Sequence, residues 1–175
     1  PLAAAGGIPI PEVLFEDDGD PPLFGMERVP GDCYEPGTDI IADPPSPPVV
    51  AERMAAAAAA LARMQALTPA GLGVGPEEEV TTPAGELARW ERLLETVGPD
   101  LAAGHQRLRD RLAERIPQMI GPVVLHGDYR LGNMLFVGPD LSAIIDWEIW
   151  SVGDPRHDLS WLLLHCAPPH RFETE

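Results

Sequence analysis

Two short stretches decide how this chain is read: His126-Gly127-Asp128-Tyr129-Arg130-Leu131-Gly132-Asn133 and, one strand and one turn later, Ile145-Asp146-Trp147-Glu148. The runs around them, Val123-Val124-Leu125, Met134-Leu135-Phe136-Val137 and Ala143-Ile144-Ile145, are short, β-branched and aromatic, and polar turns separate them, as expected of strands. If those strands pair, Asp128, Asn133 and Asp146 converge at their ends. Asp and Asn between strands are ordinarily turn and cap residues, so one such motif alone would carry little.

The three together meet a chemical requirement. Phosphoryl transfer needs one carboxylate to orient an attacking hydroxyl and accept its proton, and oxygen ligands to hold magnesium against the phosphates. The Asp128 to Asn133 spacing is that of the kinase catalytic loop H-x-D-x-x-x-x-N, with Gly127 where protein kinases carry arginine. Asp146 stands where the metal-binding aspartate of D-F-G would stand, and Trp147-Glu148 replaces Phe-Gly.

On these residues the chain resembles the aminoglycoside phosphotransferase family and its choline and homoserine kinase relatives. Their signature reads H-G-D-x-x-x-x-N, then I-D-[WF]-E, then commonly G-D-P-x-x-D-L, which is found here as Gly153-Asp154-Pro155-Arg156-His157-Asp158-Leu159. The resemblance implies an α+β, protein-kinase-like fold, with a mainly helical carboxy-terminal lobe and a short β-hairpin bearing the catalytic loop. It makes Asp128 the catalytic base and Asn133 and Asp146 the magnesium ligands, with His126 and Asp158 as structural supports of the loop. Upstream, Ile8 to Leu14 and Phe24 to Gly31 resemble the last amino-terminal-lobe strands and the hinge, where backbone near Glu27 and Val29 would bind adenine. ATP and Mg2+ are the implied cofactors, and a small-molecule hydroxyl is the implied acceptor.

Outward from the motifs, Glu12 to Phe15 and Leu23 to Val29 flank the turn sequence Asp17-Asp18-Gly19-Asp20-Pro21 and predict a β-hairpin. The stretch Asp32 to Pro48, rich in Pro, Asp and Gly, predicts an irregular crossing segment. Residues 1–31 are therefore expected to be a remnant of an amino-terminal lobe with its hinge, and residues 32–175 a helical lobe that stops early. The alanine-rich run Val49 to Leu67 predicts a packing helix, with Met54, Leu61 and Met64 on one stripe. Thr68 to Thr82 reads as a solvated loop. Helices are expected over Pro83 to Val97, with Trp90 in the core, and over Pro99 to Ile116. A last helix from Asp158 to His165 looks buried on most sides.

Composition narrows the function. With 45% hydrophobic residues in 175, the chain can bury a core. A net charge of −16 excludes a phosphate-neutralising nucleic-acid surface and suits a cationic acceptor such as an aminosugar or amino alcohol, although acidity also serves solubility. Cys33 and Cys166 lack metal-ligand spacing and read as reduced cytosolic thiols. No signal peptide or membrane-length apolar run is seen, so a cytoplasmic protein is expected.

All twelve basic residues are arginines. Kinases of this type hold the α- and β-phosphates with a strand lysine beneath a glycine-rich loop, and neither occurs here. The expectation is a phosphotransferase fragment, inactive alone. The competing reading is a non-catalytic kinase-like binding or scaffold module. A metal-dependent phosphohydrolase built on Asp128 and Asp146 is a third, weaker possibility, because only one histidine lies near these carboxylates.

Overall fold

The computed structural model describes residues 7–166. Strands β1 (Val13–Asp17) and β2 (Leu23–Met26) form an antiparallel hairpin. Helix α1 (Pro47–Gln65) follows an irregular crossing segment. After a 3-10 turn at Ala70–Leu72 come β3 (Val80–Thr81), α2 (Pro83–Glu95) and α3 (His105–Ala113). The carboxy-terminal part holds β4 (Val123–Leu125), a 3-10 turn at Leu131–Asn133, β5 (Met134–Val137), β6 (Asp140–Ile144), β7 (Ser151–Gly153) and α4 (Arg156–Cys166). The fold is α+β, and among the described residues no helix is long and apolar enough to cross a membrane.

Helix α1 is the central packing element. Pro47 at its start has no amide to waste, and the alanines that follow lose almost no side-chain entropy. Arg53, Ala57, Ala60, Leu61 and Met64 recur at helical spacing on its buried face. That face packs with Ile8, Tyr129, Leu131, Met134, Phe136, Ile144 and Leu162 into one core. The Tyr129 hydroxyl donates to the Ala57 carbonyl at 2.8 Å, which pins the 126–133 loop to the helix.

Strands β5 and β6 pair antiparallel, Met134 opposite Ile144 and Val137 opposite Asp140. Both outer edges of this hairpin are occupied. Asp32 and Phe136 exchange two backbone hydrogen bonds at 2.9 Å, and the Ile144 amide donates to the Pro9 carbonyl at 2.7 Å. Gly31 makes the first approach possible: its φ is +137°, and a Cβ there would lie 2.9 Å from the Phe136 nitrogen and oxygen. A second sheet orders its strands β3-β7-β4, with β4 and β7 antiparallel and β3 and β7 parallel.

Several local expectations are corrected. The Thr68 to Thr82 stretch is not simply a solvated loop, because Leu72 is buried and Val80–Thr81 joins the second sheet. Helix α3 begins only at His105, since Gly98 accepts turn bonds from Leu101 and Ala102 and Gly104 adopts a left-handed φ of +80°. Trp90 is not core: it is 50% exposed, with the Arg89 guanidinium 5.6 Å above its ring. In α4 Leu162 is buried, whereas Leu159, Leu163 and Leu164 are exposed. Strand β2 ends at Met26 and β6 at Ile144, one to three residues before the expected limits.

Candidate active site

The 126–133 loop leaves β4 at Leu125 and enters the β5–β6 hairpin at Met134. His126 is fully buried and serves three chain segments. Its amide donates to Asp158 Oδ2 at 2.8 Å. Its Nδ1 accepts the Asp128 amide at 3.2 Å, so Nε2 carries the ring proton and donates to the Ile145 carbonyl at 2.8 Å. Asp158, also fully buried, accepts the Gly127 amide on its other oxygen at 2.9 Å. Burial pushes the Asp158 carboxyl above the usual range against the pull of those two amides.

Asn133 and Ile145 close the ring, the Ile145 amide donating to the Asn133 carbonyl at 3.0 Å. Asp146 therefore follows a residue tied at both its amide and its carbonyl. Its own φ of +67° lies in the left-handed region, which Asp tolerates better than most residues but which still carries strain. The chain turns away from β6 there and leaves the Asp146 carboxylate exposed, with no hydrogen-bond partner among the described residues.

Asp128 is partly buried at the mouth of this assembly. Asn133 Nδ2 donates to its Oδ2 at 2.7 Å and to its carbonyl at 3.0 Å. Arg130 Nε spans both carboxylate oxygens at 3.1 and 3.0 Å, and Trp161 Nε1 donates to Oδ1. Burial alone would raise this carboxyl, but the hydrogen bonds from Trp161, Asn133 and Arg130 together hold it below the usual value. With its nitrogen spent on Asp128, the buried Asn133 side chain keeps Oδ1 without a partner among the described residues. A carboxamide oxygen and a carboxylate are hard donors of the kind Mg2+ accepts, so Asn133 and Asp146 fit that ion chemically. No group of three or more His, Cys, Asp or Glu among the described residues is placed to hold a metal.

Glu27 and Val29 lie beyond β2. The Glu27 amide donates to the Glu12 carbonyl at 2.9 Å, and its side chain accepts the Glu12 amide at 3.1 Å. The Glu27 carbonyl and the Val29 amide have no partner among the described residues.

Two contributors carried no role in the sequence reading. Glu35 sits in the crossing segment, where composition signals only irregular chain, yet it is 2% exposed and accepts the Gly132 amide at 2.8 Å. Burial raises its carboxyl, opposed by that amide and by the charges of His165 and Arg130. Trp161 reads from sequence as apolar helix filler, and only the three-dimensional packing shows its indole N–H on Asp128.

A kinase-like α+β fold carrying a buried H-x-D-x-x-x-x-N loop defines the class as phosphotransferase. The profile of the phosphotransferase enzyme family (APH) matches residues 1–173, and the chain belongs to that family. It is 28% identical over 166 residues to viomycin phosphotransferase of Streptomyces vinaceus, covering 87% of this chain and 53% of that protein. It is 26% identical over 181 residues to acyl-CoA dehydrogenase family member 10 of Mus musculus, covering 97% of this chain and 16% of that protein. Among solved structures it is similar to aminoglycoside phosphotransferase APH(3'')-Id from Streptomyces rimosus in complex with ADP and streptomycin, with a TM-score of 0.62 at 23% identity, covering 94% of this chain and 64% of that one. The chain thus spans at most about half the length of these two curated relatives.

Proposed function

We propose that this chain carries the phosphoryl-transfer half of an ATP- and Mg2+-dependent phosphotransferase, which moves the γ-phosphate to a hydroxyl of a small molecule. The observation that carries this reading is the ring Asp158–His126–Ile145–Asn133, which ties the β4–β5 connection that bears Asp128 and Asn133 to the β6–β7 connection that bears Asp146. A structure spends buried hydrogen bonds in this way when loop geometry matters.

In this reading Asp128 orients the acceptor hydroxyl and takes its proton, while Asn133 Oδ1 and the Asp146 carboxylate hold the metal. Mg2+, when bound, would neutralise charge on the phosphate oxygens. The unpartnered Glu27 carbonyl and Val29 amide offer one acceptor and one donor to an adenine edge. His126 and Asp158 do not touch the reactants; they fix the loop. Residues 1–31 then form the nucleotide-side hairpin and hinge, and residues 32–175 the acceptor-side lobe. No lysine occurs among these 175 residues. The net charge of −16 favours a cationic acceptor, in keeping with relatives named for viomycin or bound to streptomycin.

The test is transfer of labelled γ-phosphate from Mg·ATP by the full-length protein to aminoglycosides, viomycin and amino alcohols, beside its Asp128→Ala variant. Transfer lost by a factor of about 100 to 10,000 with nucleotide affinity retained supports the reading. Transfer near wild type in the variant removes Asp128 as base. The competing scaffold reading draws on the absent lysine and is favoured if the full-length protein binds no Mg·ATP.

A further inference from the structure

The Asp128 carboxylate is saturated with donors. Trp161 Nε1 occupies Oδ1, Asn133 Nδ2 occupies Oδ2 at 2.7 Å, and Arg130 Nε lies across both at 3.1 and 3.0 Å. These three N–H groups make four contacts, Arg130 Nε being shared, which matches the about four acceptor positions of a carboxylate, so an incoming hydroxyl competes with one of these donors. Asn133 is buried and bonded a second time to the Asp128 carbonyl, and Trp161 is fixed on α4. Arg130 is different. Its side chain is 29% exposed, and its Nη1 already lies 3.7 Å from a second carboxylate oxygen, Glu35 Oε2.

Glu35 is buried and has one amide, that of Gly132, on this oxygen. A buried carboxylate with so few donors gains from a guanidinium that moves closer. Gly132 keeps the lane between them open, because a Cβ there would stand 2.1 Å from Arg130 Nη1 and 3.3 Å from Glu35 Oε2. Glu35 itself is held in place: its amide donates to Asp39 Oδ2 at 2.8 Å, and its carbonyl accepts the amides of Thr38 and Asp39.

We propose that Arg130 is a latch on Asp128, and that Glu35 is the positioning residue that receives its guanidinium when an acceptor hydroxyl takes its place. The inference rests on the reading of Asp128 as base, and the test separates the two. Glu35→Gln keeps an oxygen for the Gly132 amide but removes the charge that draws Arg130 away. Turnover of Mg·ATP with water as acceptor, measured in the full-length protein, should fall in kcat by about tenfold in Glu35→Gln with KM for ATP unchanged, within the coupling range of touching residues. In an Arg130→Ala background the same substitution should cost less than about twofold. Equal costs in both backgrounds overturn the latch while leaving the base reading intact. Wild-type turnover in Asp128→Asn sinks the base reading instead.

A second measurement is independent of turnover. In Asp128→Asn the guanidinium loses its first carboxylate and should settle on Glu35, so the Arg130 Nε–H signal in an NMR spectrum remains protected from exchange. Adding Glu35→Gln to that variant should release it. An Arg130 signal that is equally free with and without Glu35 overturns the proposal.

Discussion

Asp158 Oδ2 accepts the amide of His126 at 2.8 Å, both residues fully buried and thirty-two positions apart in the sequence. The start of the last helix thereby sets where the 126–133 loop begins. With Oδ1 on the Gly127 amide, one carboxylate satisfies two consecutive backbone donors that would otherwise be stranded in the core.

Asp158→Ala leaves both amides without a partner. At about 1–3 kcal/mol for each unsatisfied buried donor, the variant should lose roughly 2–5 kcal/mol in urea unfolding. Asp158→Asn keeps one accepting oxygen and should lose about half of that. An alanine variant as stable as wild type would show that water or a shifted backbone replaces the carboxylate.

Asp154 gives a pH signature. Hydrogen bonds from Arg156, at 2.6 and 2.8 Å, and from the Arg156 and Ile120 amides outweigh burial and hold its carboxyl at about 2, against 3.8 in the unfolded chain. A depressed carboxylate stabilises the fold above its unfolded value, and that stability is lost as pH falls towards 2. Because the Arg156 partner is more than one-third exposed, the contribution is discounted to about 1–2 kcal/mol. Urea unfolding between pH 5 and pH 2 should show a shallower acid slope in Asp154→Asn than in wild type; identical slopes would mean that the pair contributes nothing.

Asp146→Asn separates backbone from charge. Asn accepts a left-handed φ as readily as Asp, so the thermal midpoint should stay within a few degrees of wild type. Loss of the carboxylate should weaken the magnesium-dependent part of nucleotide binding in the full-length protein by about tenfold or more. Calorimetric titration at several magnesium concentrations measures it, and unchanged metal dependence takes Asp146 out of the site.

Arg53 is the tie between the crossing segment and the β5–β6 hairpin. It donates two bonds to Asp32, at 2.8 and 3.1 Å, and one to the Gly138 carbonyl at 2.8 Å, while its guanidinium lies 5.0 Å over Phe136. Arg53→Ala should cost about 1–3 kcal/mol, between the ranges for exposed and buried pairs because Asp32 is largely exposed. Hydrogen exchange at the Asp32 and Phe136 amides should accelerate with it, whereas loss confined to distant helices would refute the tie.

Legibility in the sequence followed the range of the forces involved. The first hairpin, the alanine-rich helix and the strands on either side of the loop were readable because their signals are local: alternation, turn chemistry and helix propensity. The loop was readable because the spacing of Asp128 and Asn133 is a short-range geometric constraint. Trp90 and the outer leucines of α4 were misread, since periodicity marks an apolar face without saying what covers it. The break before α3 needed the left-handed backbone at Gly104, and glycine composition alone does not announce that conformation. Glu35 was invisible, because its importance comes from a contact with Gly132 across ninety-seven residues.

The two strands of chain that bridge to the β1–β2 hairpin are anchored at one end by the Pro9 and Asp32 bonds to the β5–β6 hairpin and at the other by the Glu12–Glu27 bonds. Between those anchors only Ile10 and Pro11 on one tether, and Arg28 to Gly31 on the other, make no backbone hydrogen bond among the described residues. Two short tethers side by side behave as a door hinge rather than a ball joint: they permit swing about the line joining them and resist twist. Phe136, three residues from Asn133, is where the longer tether is bolted on, so swing of the β1–β2 hairpin is delivered as tension at the edge of the very strand that follows the 126–133 loop.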